Sequence, residues 1–128
     1  MSQAPQVKIL IVDDEADIRS LTSGILHDEG FKTFEAANSI QALDQIEKQH
    51  PTLVLLDIWL QDSELDGLGI LKVIKKNHQS IPVLMMSGHG NIETAVQAIK
   101  DGAYDFIEKP FSSQRLLILV RRIIEAEK

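Results

Sequence analysis

At 128 residues and 14.3 kDa, the chain fits one compact domain better than two, because each half would bury too little apolar surface to hold a core of its own. Its 44% hydrophobic and 25% charged residues exclude a disordered chain, and 13 Lys and Arg against 19 Asp and Glu, a net charge of −6, argue against phosphate backbones and anionic lipid as direct partners. No cysteine is present, so disulfides, thiolate metal sites and cysteine nucleophiles are excluded; with no signal peptide or bilayer-length apolar run, a cytoplasmic location without a membrane role is expected.

Five apolar runs of strand length recur along the chain: Val7 to Val12, Thr33 to Ala36, Leu53 to Leu56, Val83 to Met86 and Tyr104 to Ile107. Most are nearly unbroken rather than alternating, the pattern of parallel strands covered on both faces. Helical spacing fills the intervals. Ile18, Leu21, Ile25 and Leu26 share a face in a segment that stops at Gly30; Ile40, Leu43 and Ile46 do so after the capping candidates Asn38 and Ser39. Leu68, Leu71 and Ile74 mark a third helix. Ile92, Ala95, Val96 and Ile99 mark a fourth, with Asn91 placed to cap it and Gly102 to end it, and Ser112 opens a fifth. Strict strand–helix alternation predicts an α/β fold, a doubly wound five-stranded parallel sheet of order 2-1-3-4-5 with five helices, flavodoxin-like, and residues 1–6 as a flexible tail.

In an open parallel sheet, ligands bind beyond the carboxyl ends of the strands. There the first run ends in Asp13-Asp14-Glu15, the third in Asp57, the fourth in Ser87 and the fifth in Glu108-Lys109-Pro110. Taken singly, an acid after a strand reads as a helix cap, Ser87 as a turn residue and Lys109 as a solvated charge. With the order 2-1-3-4-5, however, these four ends are consecutive neighbours, and carboxylates, a hydroxyl and an ammonium meet in one cleft. Three carboxylates within ~4 Å repel by ~4 kcal/mol per pair at an effective dielectric constant of ~20, so they require a cation. A hard, oxygen-seeking divalent ion suits them, and Mg²⁺ retains coordination positions for a phosphoryl oxygen. A carboxylate so placed becomes a nucleophile able to form an aspartyl phosphate, with Asp57 the candidate and Ser87 and Lys109 available to the phosphoryl oxygens.

Val12-Asp13-Asp14-Glu15, Leu56-Asp57, Ser87-Gly88 and Phe106-Ile107-Glu108-Lys109-Pro110-Phe111 resemble the receiver domain of bacterial two-component response regulators, in the family's order and across essentially the whole chain. The resemblance implies that Asp13, Asp14 and Asp57 hold Mg²⁺, with Mn²⁺ as an alternative, together with the backbone carbonyl of Trp59. It implies that Asp57 accepts a phosphoryl group from a sensor histidine kinase, that Ser87 and Lys109 bind that group, and that Phe106 is the switch aromatic. The stretch from Ser87 to Ala95, with Gly102-Ala103-Tyr104-Asp105-Phe106 and Asp57-Ile58-Trp59-Leu60-Gln61, is similar to nitrogen-regulation regulators of the NtrC and NtrX group. Such regulators control transcription through ATPase and helix-turn-helix modules absent from this chain, which is expected to be an isolated receiver from a longer regulator. One departure is a longer, more acidic loop, Leu60-Gln61-Asp62-Ser63-Glu64-Leu65, where the family commonly has Met-Pro.

Three rival readings are weaker. Asp62-x-Glu64-x-Asp66-Gly67 mimics the start of a calcium loop, but its twelfth position is Val73 rather than a bidentate Glu. A haloacid-dehalogenase-type, Mg²⁺-dependent phosphatase, which would be a true enzyme, places its nucleophile in Asp-x-Asp after the first strand, whereas position 15 is Glu. A flavin phosphate would be repelled by Asp13-Asp14-Glu15. On the last helix Ile118 falls opposite the apolar face, flanked by Arg121 and Arg122; it reads either as a lone exposed aliphatic or as part of a partner surface which, with the fourth helix and fifth strand, forms a homodimer on phosphorylation. Trp59 and His89 lie two residues beyond Asp57 and Ser87, positions that the resemblance implies flank the phosphoryl group, and their bulk is expected to shield it from water. His89 reads alternatively as a proton-transfer group or a solvated ring. His27, His50 and His78 look structural, and Gly88 and Gly90 serve either a mobile Ser87 loop or a simple turn.

Overall fold

The computed structural model describes residues 6–88 and 92–126. Among them the chain alternates as β1 (Lys8–Val12), α1 (Ala16–Asp28), β2 (Lys32–Ala36), α2 (Ser39–Gln49), β3 (Leu53–Asp57), α3 (Gly67–Asn77), β4 (Val83–Ser87), α4 (Ile92–Lys100), β5 (Asp105–Glu108) and α5 (Ser113–Ala126). All strand pairs are parallel and the order is β2-β1-β3-β4-β5. Each expected run sits within a residue or two of its strand. The central strands β3 and β4 are buried at every position, while the edge strands β2 and β5 keep exposed residues. None of the described helices is long and apolar enough to cross a membrane.

The pleat sends alternate residues to opposite faces, and both faces are covered. Leu10, Val12, Val54, Leu56, Val83 and Met85 pack with Ala42 and Ile46 of α2, Ile70, Leu71 and Ile74 of α3, and Ala95 and Ala98 of α4. Ile9, Ile11, Leu53, Leu55, Leu84 and Met86 pack with Leu26 of α1 and Leu116, Leu119, Val120 and Ile123 of α5. This explains why the strands read as continuous apolar runs.

Helix starts and stops follow local chemistry. The Asn38 side chain accepts the N–H of Gln41 at 2.9 Å, Asp66 that of Gly69 at 2.8 Å and Ser112 that of Arg115 at 3.1 Å, each satisfying an opening amide of α2, α3 or α5. The helices α1 and α4 stop before Gly30 and Gly102, whose positive φ angles of 92° and 111° suit glycine. Asn91, the expected cap of α4, lies outside the described residues, as do residues 1–5 of the expected tail.

Several expected core positions are corrected. Leu21 is 66% exposed and Ile40 65%, so Thr22 and Leu26 carry the inner face of α1, and Ser39, Ala42 and Ile46 that of α2. On α4 the alanines Ala95 and Ala98 touch the sheet, because small side chains let that helix lie close, while Ile92, Val96 and Ile99 face outward. The broad inner face of α5 is as expected, with Ile118 exposed opposite it.

Candidate functional site

Backbone hydrogen bonds carry the parallel pairing to the strand ends and one step beyond. The N–H of Asp13 reaches the carbonyl of Ala36 at 3.1 Å, that of Ile58 the carbonyl of Met86 at 3.0 Å, and that of Lys109 the carbonyl of Ser87 at 2.7 Å. The residues that end four strands are thereby fixed to the sheet rather than to free loops. Between them opens a cleft of about 470 Å³ lined by Asp14, Glu15, Asp57, Trp59, Gln61, Gly88 and Lys109.

The Lys109 ammonium bridges two buried acids, donating to Oδ2 of Asp13 and Oδ2 of Asp57 at 2.8 Å each. Asp13 is fully buried; its other oxygen accepts the N–H of Glu15 at 2.9 Å and its carbonyl accepts from Arg19 at 2.7 Å. Asp57, 5% exposed, also accepts the N–H of Trp59 on Oδ1 at 3.3 Å. Asp14 does not cap α1, which starts after Glu15 with no side-chain cap; its Oδ2 accepts the N–H of Gln61 at 3.0 Å. One ligand oxygen from each of Asp13, Asp14 and Asp57 lies within 4.8 Å of the others.

Burial pushes the Asp57 carboxyl up from 3.8 to about 6, outweighing the hydrogen bond and charge of Lys109, with the neighbouring Asp13 charge adding to the rise. For Lys109 burial acts downward, but the bonds to Asp13 and Asp57 prevail and hold it above 10.5, so it stays an ammonium. Three carboxylates against one ammonium leave two negative charges for a divalent ion to balance, and an all-oxygen donor set with a solvent-facing side fits Mg²⁺ or Mn²⁺.

Gly67 sets how closely α3 approaches this center. A Cβ there would fall 2.1 Å from the carbonyl oxygen of Asp57 and 2.6 Å from Cα of Ile58, and the Gly67 N–H bonds to the carbonyl of Ile58 at 2.8 Å. Only glycine closes the loop beneath Asp57 this tightly.

Of the sequence-derived candidates, Asp13, Asp14, Asp57 and Lys109 converge, Ser87 is buried at the adjoining end of β4, and Trp59, half exposed, lines the cleft. Phe106 stands apart on β5, half-buried against the α4 side of the core, and lines a groove of about 450 Å³ with Ile92, Phe111 and Arg115. Ile118 and Arg122 are on the exposed side of α5. Arg121 is drawn into an ion pair with Glu29, so it belongs to the α1–α5 packing as much as to an outer patch. His89 and Gly90 lie outside the described residues. The sequence reading missed the Gln61 amide on Asp14, since a contact across 47 residues leaves no local pattern, and the Arg19 guanidinium on the Asp13 carbonyl, since a side chain reaching back six residues to a backbone oxygen has no residue signature.

The fold and this constellation are those of a receiver-type signalling domain: the chain belongs to the response regulator receiver domain family, whose model matches residues 9–121. Within the family it is similar to the nitrogen assimilation regulatory protein NtrX of Azorhizobium caulinodans, 57% identical over 91% of this chain and 26% of that protein. An NtrX-like response regulator of Rickettsia bellii is 57% identical over 95% of this chain and 26% of its own length. The crystal structure of the receiver domain of NtrX from Brucella abortus matches with a TM-score of 0.90 and 59% identity, covering 91% of this chain and 98% of that one. The chain thus spans about a quarter of these curated relatives.

Proposed function

We propose that Asp57 accepts a phosphoryl group from the phosphohistidine of a sensor kinase. An Asp57 Oδ–P bond forms as the N–P bond breaks, and the electron pair stays on the departing imidazole nitrogen. The observation that carries this reading is the Lys109 bridge: one ammonium held 2.8 Å from both Asp13 and Asp57 keeps the acceptor oriented and places positive charge where phosphoryl oxygens would gather. Asp13, Asp14, Asp57 and the backbone carbonyl of Trp59 would hold Mg²⁺ or Mn²⁺, which when bound supplies charge neutralisation for the incoming group. The Ser87 hydroxyl would donate to a phosphoryl oxygen, and the Lys109 ammonium would turn from Asp57 toward another.

The reading makes the domain a regulatory phosphoacceptor in the cytoplasm, acting only in its own phosphorylation and dephosphorylation. A phosphatase of the Asp-x-Asp type would want a second aspartate two residues beyond its nucleophile; that position is Trp59 after Asp57 and the longer Glu15 after Asp13. Signal output runs from Ser87 through Phe106 to the α4, β5 and α5 face. There Ile92, Val96, Ile99, Tyr104 and Ile118 are exposed apolar residues, suited to a phosphorylation-dependent homodimer or to further domains of a nitrogen-regulatory transcription regulator. Direct contact with nucleic acid is assigned to such domains rather than to this acidic one.

The test is incubation with Mg²⁺ and a small phosphodonor. The expected result is one retained phosphoryl mass, abolished by EDTA and by Asp57→Asn; continuous release of phosphate over many equivalents would favour the phosphatase.

A further inference from the structure

The connection between β3 and α3, residues 58–66, is fastened at both ends. At its far end the Ser63 hydroxyl accepts the backbone N–H of Ser39 at 2.8 Å and donates to the carbonyl of Leu65 at 2.6 Å, while the Ser39 hydroxyl accepts the N–H of Leu65 at 3.2 Å. Ser39 is the first residue of α2, so its N–H has no partner inside the helix. Asn38 serves the amide of Gln41, and Ser63 serves that of Ser39. Ser39 is 2% exposed, so its hydroxyl and N–H have little access to water if these bonds are lost.

At its near end the loop reaches the site itself through the Gln61 N–H on Oδ2 of Asp14. Between the two fastenings Asp62 holds a φ of 53°, a left-handed conformation that non-glycine residues adopt where their surroundings fix it. Strand order explains the reach. With β1 between β2 and β3, a loop leaving β3 and bonded to the start of α2 crosses the carboxyl end of β1, where Asp14 stands.

We infer that Ser63, paired with Ser39, is a positioning residue for the cation site, anchoring the loop to α2 so that the Gln61 amide holds Asp14 in place before a cation arrives. This rests on the cation reading given under the proposed function. Lys109 holds Asp13 and Asp57; Asp14 takes its orientation from the loop. A ligand whose outer partner is fixed gives up less freedom on binding, and loss of such a partner lowers metal affinity more than it alters the chemistry at saturation.

The experiment is a Mg²⁺ titration followed by the fluorescence of Trp59, the only tryptophan, in the parent chain and in Ser63→Ala, Ser39→Ala and Ser63→Thr. Both alanine variants are expected to raise the half-saturating Mg²⁺ concentration about threefold to tenfold. Phosphoryl uptake at saturating Mg²⁺ should stay at the parent level, and Ser63→Thr, which keeps the hydroxyl, should titrate like the parent. In the metal-free protein, hydrogen exchange at the Gln61 amide should be faster in Ser63→Ala. Parent-like titration of both alanine variants, or unchanged exchange at Gln61, would overturn the positioning role while leaving the cation site intact. A parent chain with no EDTA-reversible response would instead overturn the cation site and the positioning role with it.

Discussion

Burial holds the Asp57 carboxyl near 6 rather than 3.8, against the opposing pull of Lys109 and the Trp59 amide, and this has a consequence for stability. A carboxyl whose folded-state value lies above its unfolded value favours the fold while protonated, fully below 3.8, and that contribution is lost as pH rises through about 6. The ionised group therefore weakens the metal-free domain at neutral pH, by on the order of 2–3 kcal/mol. Asn at this position keeps the shape without the charge. In urea unfolding with EDTA present, Asp57→Asn is expected to exceed the parent by about 2 kcal/mol at pH 7, with the difference shrinking toward pH 4; equal stabilities at both pH values would contradict the burial argument. At this scale the sequence made Asp13, Asp14, Asp57 and Lys109 legible, because each follows a recognisable strand run. It did not make Gln61, Ser39 or Ser63 legible, since a backbone amide carries no residue signature and a serine hydroxyl forms its bond wherever the tertiary fold places it.

Among the elements, α3 depends most on a single residue. Its N-terminus sits so near β3 that a Cβ on Gly67 would collide with the backbone of Asp57 and Ile58, atoms that cannot move without displacing the acceptor. Gly67→Ala is expected to cost about 3 kcal/mol and to slow phosphoryl uptake. Asn38→Ala, which removes only the α2 cap, should cost about 1 kcal/mol and leave uptake unchanged. Denaturant unfolding paired with uptake rates separates the two, and equal effects of both on uptake would count against the packing argument. The strands were readable as unbroken apolar runs because two helical layers cover the sheet. Helix faces were less so: on α4 the stripe of Ile92, Ala95, Val96 and Ile99 holds Ala95, which meets the sheet, but the other residue that does is Ala98, while the three large aliphatics face outward, because periodicity finds a stripe without fixing which edge of it meets the sheet.

Across the whole molecule, β4 pairs with β5 between the Asp57 cleft and the exposed apolar residues of α4; under the proposed function, phosphorylation is expected to change how that second surface associates. Sedimentation at tens of micromolar should show a heavier species on phosphodonor addition, and Val96→Glu should prevent it while leaving uptake intact; identical sedimentation before and after would contradict a dimer of this domain alone. All of this depends on distant stretches of chain delivering their charged tips to one acceptor. The most direct measurement is borohydride reduction of the phosphorylated protein followed by peptide mass mapping, which marks an acyl phosphate where it stood. Reduction is expected at position 57 alone, requiring both Mg²⁺ and the phosphodonor; a mark at Asp13 or Asp14, or a phosphorylated protein with no reducible carboxylate, would contradict Asp57 as the phosphorylated group.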